Sequence, residues 1–218
     1  DPEMSRGLGD VYKRQVFDTM PAGNLALYAK LEARPYTVTY MDGKTQLSEQ
    51  TVYCGASFAL QTPAKTGYTF AGWYTDPELT EAYAPAPMPA NHLTLYARWE
   101  TNTYTVTFRY VDENGNPIQA DTTQSVQYQG AATVPSTAIA GYRFSRADGA
   151  TQNITENTTV TLHYVSYLTL LDNYVSSADF DASNRAHVET AEDYYQKLTP
   201  VQREQYRKMD SYRAFLSA

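Results

Sequence analysis

The chain has 218 residues, 42% of them hydrophobic and 19% charged, with a formal net charge of −7. The acidic surplus argues against a nucleic-acid partner, whose phosphates call for basic charge, and no run approaches the ~20 apolar residues of a membrane-spanning helix. One cysteine excludes an internal disulfide framework and a multi-cysteine zinc site, while 20 tyrosines among many Thr and Val favour strands.

Residues 5–15 (SRGLGDVYKRQ) carry no hydrophobic period. They resemble a translated sequencing adapter, which implies that residues 1–15 are an artefactual, disordered tail, set aside from fold reasoning. The natural chain is then expected to be a fragment whose own N-terminus is missing.

An internal repeat follows. Met20–Glu32 (MPAGNLALYAKLE) matches Met88–Glu100 (MPANHLTLYARWE), and Tyr36–Tyr40 (YTVTY) matches Tyr104–Phe108 (YTVTF); each offset is 68 residues. Residues 16–33 therefore read as the closing strand of a truncated copy, and residues 34–100 as a complete module. In that module Tyr36, Val38 and Tyr40 alternate inward against Thr37 and Thr39, and Leu93, Leu95, Ala97 and Trp99 alternate inward against Thr94, Tyr96 and Arg98. Asp42-Gly43 predicts a tight turn. Thr51–Leu60 predicts a second strand, and Gly67–Tyr74 a third, entered by a turn or short helix over Pro63–Gly67. The expected core is Tyr36, Val38, Tyr68, Phe70, Trp73, Leu93, Leu95 and Trp99. Cys54 reads as a buried structural thiol.

The stretch GYTFAGWYTD (Gly67–Asp76), the ending Met88–Trp99 and the opening YTVTY resemble the Listeria–Bacteroides repeat, the internalin-type B repeat of bacterial surface proteins. Residues 16–32 resemble a truncated copy. The resemblance implies a small ubiquitin-like β-grasp unit, usually in tandem on secreted or cell-wall proteins.

Residues 101–165 form a diverged module with a hairpin at Asp112–Pro117, Gly141–Phe144 (GYRF) in place of GYTF, and a closing strand at Thr159–Tyr164. It resembles a mucin-binding-protein repeat, again β-grasp-like. Val106, Phe108, Val126, Tyr142, Phe144, Val160 and Leu162 are its expected core. The segment has no lysine, so a Lys–Asn isopeptide crosslink cannot form within it.

Residues 166–218 switch to helical spacing, with helices expected near 167–178, 182–198 and 200–217. Thr199-Pro200-Val201-Gln202 is a helix start: Thr caps, Pro opens the first turn and Gln completes a capping box.

Asp112–Asn116 offers oxygen ligands and a glycine, but the bidentate Glu of a calcium loop is absent six positions beyond Gly115, where Asp121 stands, so a solvated turn is expected. His92 falls in a turn, His163 on an outward strand face and His187 on a helix surface. No GxSxG, no HExxH and no ordered Ser/His/Asp set occurs. No catalytic residue, cofactor or metal is expected. Tyr28, Tyr96 and Tyr110 are a candidate exposed face for glycan or protein contact.

The sequence thus predicts a mainly β (α+β) chain of tandem β-grasp-like modules followed by a three-helix segment. Its expected role is non-enzymatic: an adhesin stalk or spacer of a bacterial cell-surface or secreted protein, extracellular or on the cell wall. Expected partners are extracellular glycans, host or matrix proteins and neighbouring repeats, with a membrane reached only through an anchor outside this stretch. The alternative is accessory repeats of a secreted carbohydrate-active enzyme or peptidase.

Overall fold

The computed structural model describes residues 30 and 32–217. The readings for the adapter-like stretch, the truncated copy and Tyr28 lie outside the described residues. The chain divides into two compact units at Glu100/Thr101.

The first unit is a four-stranded sheet of β1 (Pro35–Asp42), β2 (Thr45–Tyr53), β3 (Tyr68–Tyr74) and β4 (Leu93–Thr101), in the order β2-β1-β4-β3. β1 and β2 form an antiparallel hairpin. Gly43 supplies the positive φ, +57°, that its two-residue turn requires. β1 runs parallel to β4, with Val38 opposite Leu93 and Met41 opposite Tyr96. The expected alternation places Val38, Tyr40, Leu95, Ala97 and Trp73 in the core, with Tyr36, Phe70, Leu93 and Trp99 packed against it. Tyr68 is half-buried, beneath the Lys65 ammonium at 5.2 Å from its ring.

Two expectations for this unit need correction. The second strand lies at Thr45–Tyr53, not Thr51–Leu60. Residues 45–47 are exposed on both faces of an edge strand, so they show no alternation, while Phe58 and Leu60 are apolar because they cover the core from an irregular segment. That segment contains no helix at Pro63–Gly67; a turn with Gly67 at φ +79° enters β3. Cys54 is half-buried rather than buried.

The second unit repeats the plan with β5 (Thr103–Val111), β6 (Thr122–Gln127), β7 (Tyr142–Asp148) and β8 (Thr158–Ser166), ordered β6-β5-β8-β7, with β5 and β8 parallel. Val106, Phe108, Val126, Val160 and Leu162 are buried, and Tyr142 and Phe144 pack against them. Tyr110 is a correction: it is 1% exposed, not on an outer face. It follows Val106 and Phe108 at two-residue spacing on the core side of β5, and its hydroxyl meets Thr122 Oγ1 at 2.8 Å.

β8 runs straight into α1 (Tyr167–Val175), since Ser166 ends the strand and its hydroxyl caps the helix by accepting from the Leu168 N–H. α2 (Arg185–Lys197) follows, then α3 (Pro200–Tyr206) and α4 (Ser211–Leu216). The Thr199/Gln202 capping box forms as the sequence implies. The single helix expected over 200–217 is instead two. The break at residues 207–210 lets Ser211 donate to the Asp172 carboxylate at 2.6 Å and brings Phe215 against Tyr195 and Tyr206.

Candidate functional site

Each unit carries its own version of one structural bracket. In the first, the Thr37 N–H donates to His92 Nδ1 at 3.1 Å; in the second, the Thr105 N–H donates to Asn157 Oδ1 at 2.8 Å. Thr37 and Thr105 are third in their strands, and His92 and Asn157 immediately precede the closing strands. The two side chains do the same work with different chemistry. His92→Asn is therefore expected to keep the stability of the first unit, while His92→Ala loses about 0.5–1.5 kcal/mol. Urea unfolding of the two variants checks this, and equal losses would contradict it.

The other histidines are also engaged. His163 Nε2 lies 2.9 Å from the Asp148 carboxylate on the outward face of the second sheet. His187 Nδ1 accepts from the Asp181 N–H at 3.1 Å and its ring packs by Tyr174 and Phe180. Among the described residues no group of three His, Cys, Asp or Glu side chains is placed to hold a metal ion.

The acidic turns are closed on themselves. Asp112 accepts from the Asn114 and Asn116 N–H groups at 2.9 and 2.8 Å and from Asn116 Nδ2 at 3.1 Å, which makes the hairpin tip a self-satisfied turn. Asp76 accepts from the Thr80 N–H, the Glu81 N–H and the Thr80 hydroxyl. The backbone donor of Thr80, then that of Glu81, holds the Asp76 carboxyl below its usual range. A carboxyl depressed on folding stabilises above its unfolded pKa of about 3.9 and loses that contribution as pH falls through the lower folded value. Acidification below about pH 4 should therefore loosen the Asp76–Glu81 turn. Thr80 and Glu81 amide shifts would then follow the acid titration in wild type but not in Asp76→Asn; identical titrations would count against the turn's dependence on this carboxylate.

Tyr96 is half-buried on the outward face of β4. Met41 lies opposite it, and one step back along the same pair Thr39 lies opposite Thr94. On the same outer side of β4, Arg98 Nη1 donates to the Tyr74 hydroxyl at 2.7 Å, with the guanidinium carbon 5.5 Å from the Tyr74 ring centre. The Tyr74–Arg98 pair was legible only in part: alternation turns Arg98 outward, but nothing local joins it to Tyr74, 24 residues away. Whereas Tyr110 is buried in the core of its own unit, Tyr96 thus pairs with Met41 and shares the outward side of β4 with Arg98. This is a shallow, amphipathic sheet face. Stacking rings, a fixed guanidinium and hydroxyls suit contact with an extended polar ligand rather than bond-breaking chemistry.

Comparison with known proteins finds two family matches along the chain. Residues 36–98 match the family model of the Listeria-Bacteroides repeat domain, and residues 105–165 match that of the MucBP domain. These are repeat or binding domains, not enzymes. A relative in Evansella cellulosilytica, named as a Gly-rich membrane protein, is 40% identical over 90 residues, which is 40% of this chain and 10% of that protein. Internalin H of Listeria monocytogenes is 37% identical over 89 residues, 39% of this chain and 16% of its own length. The matched region is thus less than a fifth of either relative. The solved type 2 repeat of the mucus binding protein MUB from Lactobacillus reuteri is 16% identical and covers 61% of this chain and 99% of its own, at a TM-score of 0.24. In order along the chain, one stretch is thus similar to the Listeria-Bacteroides repeat domain and the next to the MucBP domain.

Proposed function

We propose that this chain is a non-catalytic repeat region of a bacterial surface or secreted adhesin, placed outside the cell. It spaces a more distal binding domain and adds weak contacts of its own. The carrying observation is that two different repeat-domain families adjoin in one chain, at residues 36–98 and 105–165. Surface-protein repeats of the first kind and mucin-binding-protein repeats of the second make extracellular glycans, mucins or matrix proteins the partners of choice. Attachment to the cell wall belongs to the same reading. No helix among the described residues is long and apolar enough to cross a membrane.

The contact face of the first unit is the outward surface around Tyr96, Tyr74 and Arg98. Single contacts on a flat face are weak, and serial repeats add them by raising effective concentration. A mucin and glycan array probed with the chain and with the Tyr96→Ala/Arg98→Ala variant tests this. Signal on glycans or mucins that falls several-fold in the variant supports the reading. Undiminished signal in the variant would remove this face from it.

A further inference from the structure

In both units the first and last strands are neighbours and run parallel, β1 beside β4 and β5 beside β8. The chain enters each unit at the start of the first strand and leaves at the end of the last. Because the two strands are parallel, these points lie at opposite ends of the central pair. Tension along the chain therefore slides the two strands past each other. Their hydrogen bonds are loaded together rather than one at a time, and inward-facing members of the paired stretches are buried: Val38, Tyr40 and Leu95 in the first unit, Val106, Phe108, Val160 and Leu162 in the second.

The helices meet tension differently. α1 continues from β8, and the helical segment is tied to the sheet by the backbone bond from the Tyr167 N–H to the Gly141 carbonyl at 2.9 Å and by a few side-chain bonds. Gln202 Nε2 donates to the Gly141 carbonyl at 3.0 Å and to the Ser166 hydroxyl at 3.1 Å, and the Glu113 carboxylate accepts from the Ser166 N–H at 3.1 Å and from the Thr169 hydroxyl. Pulling on the C-terminal end peels α4, α3 and α2 away before load reaches β8. These ties then break in succession.

We infer that the chain is a graded tension-bearing element, in which helices α1–α4 yield first as an extensible buffer and the two sheets then resist in shear. The second sheet, paired over residues 106–111 and 158–163, holds longer than the first, paired over 38–41 and 93–96. The use of this property on a cell surface rests on the stalk reading above. The property itself rests on the strand order, the pairing lengths and the bonds that tie the helices to the sheet.

Single-molecule stretching of the whole chain between its ends tests it, since forced unfolding reports the barrier along the pulled direction. At roughly 3.6 Å per extended residue, the first release is expected to free about 18 nm from residues 167–217 at low force. Two further releases of about 23–24 nm, less each folded span, are expected at several-fold higher force, that of the first sheet preceding that of the second. A second pulling direction isolates the geometry. Thr103 and Gln127 face each other at one end of the antiparallel β5–β6 pair. Handles on Thr103→Cys and Gln127→Cys, with Cys54→Ser, unzip that pair, and the second sheet should yield at a several-fold lower force than end-to-end. Equal forces in the two directions, or sheets that yield together with the helices, would overturn the inference. Either result would leave glycan binding, measured separately, untouched.

Discussion

Replacing Trp73 with alanine is expected to remove about 3–5 kcal/mol from the first unit, the usual loss for deleting a buried indole. Trp73 is 4% exposed. Its ring packs 4.7 Å from Tyr40 and 5.2 Å from Phe70, and its Nε1–H donates to the Gln61 carbonyl at 2.8 Å. Removing it leaves both a cavity and an unpaired carbonyl. Small units bury little apolar surface to absorb such a loss. The readout is clean because the chain has two tryptophans, and the one that remains, Trp99, also lies in the first unit. Trp99 fluorescence during urea unfolding follows that unit alone, while the helical circular dichroism of the second unit should be unchanged. A loss below about 1 kcal/mol would contradict the placement of Trp73 at the centre of this core.

Gly141→Ala should cost roughly 2–4 kcal/mol in the second unit, combining a strained left-handed backbone with overpacking. Gly141 has φ +81°, and a Cβ there would lie 2.3 Å from Gln202 Oε1 and 2.8 Å from Thr199 Cγ2. The substitution therefore acts where α3 docks on the turn into β7. Gly115→Ala is the control. Its φ is +83°, but a Cβ there meets nothing within 4 Å. It should cost only about 1 kcal/mol, from backbone strain alone. Hydrogen exchange should show α2 and α3 losing protection in Gly141→Ala and keeping it in Gly115→Ala. Equal effects would mean that the Gln202 contact does not hold the helices to the sheet.

Much of this was legible locally. Strands with one buried face announce themselves at period two, so the central strands and the inward positions Val38, Leu95, Phe108 and Leu162 could be read directly. The same rule carried the signal for Tyr110, which shares its spacing with Val106 and Phe108. Reading that tyrosine as a surface ring set side-chain type above periodicity. Edge strand β2 was displaced because Thr45–Leu47 have no buried face to imprint a pattern, whereas Phe58 and Leu60 imitate one from an irregular cover. Gln202 shows the limit most clearly. Its capping role follows from the residues beside it, but its bond to the Gly141 carbonyl, 61 residues away, exists only in the folded unit. The Tyr74–Arg98 pair and the His92 and Asn157 brackets are invisible for the same reason: each joins residues that the sheet order alone brings together.

The reading of these modules as weak, additive contact sites is tested most directly by copy number. One, two and four linked copies of the chain are passed over a mucin-coated surface and their dissociation is timed. Retention should lengthen steeply from one copy to four, well beyond proportion, because each rebinding event becomes intramolecular. Dissociation that is the same for one copy and for four would contradict it.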